Sequence, residues 1–124
     1  MTELKNLAEE TKKQLKLKYN SDSVKYLEEF IERTKMNVER DNWSGLINSC
    51  GAFLGECIIE NYGGVWKKDK KGNVGIKFNN KNIVYPFAKV SKQFENGLGD
   101  SIFSFYYIIP KLFAVKQKKK RWHF

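Results

Sequence analysis

The stretch from Leu46 to Ile59, LINSCGAFLGECII, constrains the fold most. Leu46, Ile47, Cys50, Phe53, Leu54, Cys57 and Ile58 recur at helical spacing. The other side of the same helix is not charged: it carries Ser44, Asn48, Gly51, Ala52, Gly55 and Ile59. A helix apolar on one side and small on the other is buried on both. The pattern predicts a central helix that starts near Asp41 or Asn42 and stops at Asn61-Tyr62-Gly63-Gly64. Each interior glycine costs about 1 kcal/mol relative to alanine. Close approach by a neighbour compensates, so Gly51, Gly55 and Glu56 are read as a packing groove for another helix or for a sheet. The alternative is a groove left open for a ligand. Glu56 is a functional candidate only if it is buried, because desolvation then raises a carboxylate's pKa. Glu60 lies one turn on, but no His or Asp stands in this stretch, so no metal site is predicted.

Amphipathic helices precede this segment. Leu4, Leu7, Ala8, Thr11, Leu15 and Tyr19 predict one from Thr2 to about Tyr19, at the periphery of the domain. Asn20-Ser21-Asp22-Ser23 offers capping oxygens for a second, from about Ser23 to Val38. After the central helix come three strand signals: Val65-Trp66-Lys67, the alternating Val74-Gly75-Ile76-Lys77-Phe78, and Ile83-Val84-Tyr85 before Pro86. The turns between them are Asp69–Asn73 and Asn79–Asn82. Phe87–Phe94 predicts one or two helical turns and Glu95–Gly99 a loop. Asp100 or Ser101 then caps a last helix from Ile102 to about Pro110. The expected fold is α+β: three N-terminal helices, a three-stranded antiparallel meander and a C-terminal helix, with the helices in a single layer on one face of the sheet. Residues 1–113 form one domain and residues 114–124 a basic aromatic tail.

The net charge of +9 is unevenly placed. Residues 111–124 hold six basic side chains and no acidic ones, whereas residues 21–110 balance to within one charge. This argues against a broad basic face and for a local one. No uninterrupted apolar run is long enough to span a membrane, and the N-terminus lacks the pattern of a secretory signal, so a cytoplasmic location is expected. Cys50 and Cys57, seven residues apart on one helix, lie about 10.5 Å apart. That is too far for a disulfide, and they are read as buried thiols. His123 is the only histidine, so no Ser/His/Asp or Cys/His set exists and no catalytic residue is assigned.

The run GAFLGECIIENYGGVW followed by VYPFAKVSKQFENGLGDSIFSFY resembles a small bacterial domain of unknown function. Its marks are a Gly-x-x-x-Gly-Glu helix leading to a strand tryptophan, then a proline, a Lys-Val-x-Lys segment, Asn-Gly and an Asp-Ser helix start. The matching residues are Gly51, Gly55, Glu56 and Trp66, then Pro86, Lys89, Val90 and Lys92, then Asn96, Gly97, Asp100 and Ser101. The resemblance spans about residues 24–108. It implies an immunity-type protein, a small cytosolic partner to a bacterial toxin or competition system, and brings no catalytic residues with it.

The expected function is therefore that of a non-enzymatic protein-binding domain without a cofactor, favouring a partner with an acidic surface. Its candidate contact residues are Trp66, the hairpin lysines Lys67, Lys68, Lys70 and Lys71, and the aromatic residues Phe103, Tyr106 and Tyr107 of the last helix. The tail adds Lys118, Lys119, Lys120, Arg121 and Trp122, which would touch nucleic acid in the alternative reading of a small nucleic-acid-associated protein.

Overall fold

The computed structural model describes residues 2–113. Five helices and one antiparallel sheet follow in the order α1 (Thr2–Leu15), α2 (Ser21–Lys35), α3 (Trp43–Tyr62), β1 (Val65–Lys68), β2 (Val74–Lys77), β3 (Ile83–Val84), α4 (Pro86–Asn96) and α5 (Ile102–Phe113). Short 3-10 turns at Arg40–Asn42 and Gly97–Asp100 lead into α3 and away from α4. The α+β class is as expected, with one helix more than the sequence pattern predicts. The extra helix is α4, which grows from the expected one or two turns to eleven residues. Pro86 supplies its first position, where a missing N–H costs nothing and φ is already helical.

α3 is the centre. Cys50 to Ile58 are buried without interruption, so no face of its middle turns meets water. α1, α2, α4 and α5 all pack against it. α1, expected at the periphery, lies along α3 with Ala8 and Thr11 buried. The Thr11 hydroxyl reaches Leu7 O at 2.9 Å and Ser49 O of α3 at 3.4 Å.

α1 stops at Leu15, one turn before the expected Tyr19. Lys16 turns to φ +56°, and the Leu17 amide donates back to Lys12 O at 2.9 Å, the bond that closes a helix through a left-handed residue. Leu17 is thereby buried. Tyr19 is freed to stack on Phe53 at 5.2 Å between centroids and to donate its hydroxyl to Glu9 at 2.7 Å. Asn20 then caps α2, its side-chain oxygen accepting from the Ser23 amide at 2.8 Å. α3 ends at Gly63, and Gly63 and Gly64 both sit at φ +92°, a region that a residue with a side chain rarely adopts.

The sheet order is β1-β2-β3, so β1 and β3 are both edges. Val65 pairs with Lys77 and Lys68 with Val74 across one hairpin; Ile76 pairs with Val84 across the other. Asp69 organises the first turn by accepting from the Lys71 and Asn73 amides, each at 2.9 Å. Asn79 does the same in the second, for Lys81 and Asn82. α5 continues past its expected end at Pro110 to Phe113, which stacks on Phe78.

Candidate functional site

The groove on α3 is occupied. A Cβ built on Gly51 would fall 2.3 Å from the Phe87 ring, and one on Gly55 would fall 2.1 Å from the Trp66 ring. These two rings, from α4 and β1, lie against each other at 5.6 Å between centroids. The glycines therefore admit two aromatic side chains onto the helix backbone. Trp66 also donates its indole N–H to Glu56 Oε2 at 2.7 Å. Glu56 is 9% exposed. With Thr2 and Lys5 it borders an open hollow of about 320 Å³. The carboxylate thus holds the tryptophan in the groove. Trp66, expected to be a contact residue, is half-buried and directed into its own protein.

The other candidates fall in separate places. Lys67, Lys68, Lys70 and Lys71 are exposed on β1 and the hairpin turn. Phe103 and Tyr107 stack on one flank of α5 at 6.0 Å between centroids. Lys25 stands over Phe103 at 5.3 Å and Lys111 over Tyr107 at 5.6 Å. Tyr107 is 60% exposed. Tyr106 is a correction: it is 1% exposed and meets Tyr62 in the core at 5.0 Å, so it offers no contact surface. At its position in α5 it follows Ile102 by four residues, and that face of the helix is the buried one. Lys118, Lys119, Lys120, Arg121 and Trp122 lie outside the described residues.

A polar cluster that the sequence reading missed joins α2, α4 and α5. Gln93 is fully buried; its amide nitrogen donates to Glu28 O at 3.1 Å and Glu32 Oε2 at 2.9 Å, and its oxygen accepts from the Ile102 amide at 2.9 Å. Ser101 caps α5 by accepting from the Ser104 amide at 3.0 Å, and its hydroxyl donates to Glu28. Glu28 also accepts from Lys25 at 2.9 Å. Burial alone would raise the Glu28 pKa, but the bonds from Ser101 and Lys25 outweigh it and hold the carboxyl below its ordinary value. Among the described residues every buried side-chain nitrogen and oxygen has a partner. A glutamine at a position where α4's stripe calls for an apolar residue, next to Phe94, was the available signal.

Cys50 and Cys57 are buried free thiols. Burial pushes Cys50 up to about 12 and raises Cys57 as well, which leaves both as thiols rather than reactive thiolates. Among the described residues no group of three or more His, Cys, Asp or Glu is placed to hold a metal ion. Nor is any helix among them long and apolar enough to cross a membrane.

No family model, no curated protein and no solved structure matches this chain.

Proposed function

We propose that this chain is a non-enzymatic protein-binding domain of the immunity type, acting in the bacterial cytosol by covering an acidic part of a toxin's surface. The observation that carries the reading is the outer flank of α5, where the exposed Tyr107 stacks on the half-buried Phe103 between Lys25 and Lys111. An exposed tyrosine beside cations is the kind of residue that anchors protein interfaces. The net charge of +9 favours an acidic counterpart, both for steering and for rejecting basic proteins. Glu56 and Trp66, which the resemblance marks, then serve the fold by fixing the β1 hairpin on α3.

The test pairs genetics with binding. A strain lacking the chain is expected to become sensitive to the toxin encoded beside it, and the purified pair to form a tight one-to-one complex weakened by Tyr107→Ala. Normal growth of that strain under exposure to the toxin overturns the inhibitor reading. The basic run Lys118–Arg121 supports a second reading, contact with nucleic acid. Deleting residues 115–124 would then abolish binding, and affinity would fall steeply with salt.

A further inference from the structure

Two hollows meet at the same pair of residues. The larger, about 940 Å³, lies between the β1–β2 turn, the N-terminal turn of α1 and the start of α4. The smaller, about 270 Å³, lies between β3, α4 and the flank of α5 opposite Tyr107. Tyr85 and Ala88 line both. The floor is apolar, with Leu4, Val74 and Phe87 in the larger hollow and Phe105, Ile109, Leu112 and Phe113 in the smaller. Leu112 is 63% exposed there.

The rim is basic. Lys70 and Lys71 border the larger hollow and Lys89 and Lys92 the smaller. Among the described residues none of these four ammonium groups has a carboxylate within ion-pair distance. Asp69 is the acid that lines either hollow, and it is committed: it accepts from the Lys71 and Asn73 amides and from the Tyr85 hydroxyl at 2.9 Å. Those bonds from Asn73, Tyr85 and Lys71 hold its pKa below the ordinary value, so it stays an anion fixed in the turn. An apolar floor under cations that have no carboxylate partner is complementary to apolar side chains flanked by carboxylates.

We propose that the two hollows form one groove that receives an acidic, apolar-bearing segment of the partner protein, its apolar side chains on the floor and its carboxylates against Lys70, Lys71, Lys89 and Lys92. The proposal rests on the protein-binding reading and names where and by what chemistry the partner is held. A nucleic acid fits the floor poorly. Bases stack on open aromatic faces, whereas the Phe87 ring is pressed on Gly51, Lys89 stands over the Phe105 ring at 5.4 Å and the Phe113 ring stacks on Phe78.

The test uses the full chain and a phage-displayed library of short random peptides, with the selected peptides synthesised and titrated by fluorescence anisotropy. Selection is expected to return sequences in which Asp or Glu flanks Leu, Phe or Trp. Ala88→Tyr, at an exposed position common to both hollows, is expected to weaken binding about tenfold or more, as is the pair Lys89→Glu and Lys92→Glu. Lys13→Glu, a charge reversal at an exposed position of α1 that lines neither hollow, is expected to change it less than about twofold. Circular dichroism of each variant checks that the fold is kept.

Failure to enrich any peptide, or peptides lacking acidic residues, overturns the proposal. So does undiminished binding to Ala88→Tyr. If Tyr107→Ala abolishes binding while Ala88→Tyr does not, the groove is wrong and the protein-binding reading stands. Other occupants have their own signatures, each of which overturns it. A single-stranded oligonucleotide that binds more tightly than the peptides and is lost in Ala88→Tyr assigns the groove to nucleic acid. A deletion of residues 114–124 that strengthens peptide binding assigns it to the chain's own C-terminal segment. A dimer in sedimentation that Ala88→Tyr dissociates assigns it to a second copy.

Discussion

At Gly55 the α3 backbone and the Trp66 ring share space that a methyl group would contest. Alanine there gains about 1 kcal/mol of helix propensity. Its Cβ, however, would stand 2.1 Å and 2.3 Å from two ring carbons, so the indole must move. Moving it also strains the bond to Glu56. Overpacking of this kind costs about 1–3 kcal/mol, and Gly55→Ala is expected to be destabilising in urea unfolding. Equal or greater stability would show that the ring vacates its place freely. The glycine spacing alone predicted a close approach. It did not reveal that aromatic rings make that approach, because Phe87 and Trp66 come from elements distant in sequence. Trp66 looked like a surface contact for the same reason: a strand tryptophan next to lysines reads as exposed until its partner helix is known.

Among the elements, those with strong periodicity were the most legible. α1, α2 and α3 and the alternating β2 strand follow from apolar spacing. Their ends follow from local chemistry, which is harder to read. The run Asn20–Ser23 was recognisable as a source of capping oxygens, and Asn20 is the one that caps α2. Lys16 gave no signal that it would end α1, because its left-handed turn is fixed by the burial of Leu17 and the docking of Tyr19 on Phe53. A left-handed conformation costs a residue with a side chain about 1–2 kcal/mol. Glycine loses extra chain entropy worth about 0.5–1 kcal/mol on folding. Lys16→Gly is therefore expected to stabilise the chain by up to about 1 kcal/mol, seen as a rise of a few degrees in thermal unfolding. A fall would mean that the lysine side chain makes a compensating contact. Pro110 misled in the opposite direction. It suggested an end to α5, but the helix runs on to Phe113, whose ring stacks on Phe78.

On the scale of the whole molecule, Glu28, Gln93 and Ser101 bind α2, α4 and α5 into one body. Periodicity does not report such a cluster, since its members lie 65 and 73 residues apart in the chain. It gives the fold an acid sensitivity. The Glu28 carboxyl is held below its ordinary value in the folded chain. Its contribution is therefore complete above the unfolded value, about pH 4.3, and is lost as pH falls through the folded value. Glu28→Gln is expected to flatten the fall in urea midpoint between about pH 5 and pH 3. An unchanged slope would place the acid sensitivity in other carboxylates. The candidate contacts were legible only as residue types. Which of them share a surface depends on how α5 and the hairpin are set on α3.

Among the described residues, Val65–Lys68 is the longer of the ribbon's two open rims, and its outward main-chain donors and acceptors are a template for any passing strand. Lys67 and Lys68 stand exposed along it. Were two such rims to zip together, ammonium would be brought against ammonium. The chain thus carries its own deterrent to fibre growth where its backbone is most open to recruitment.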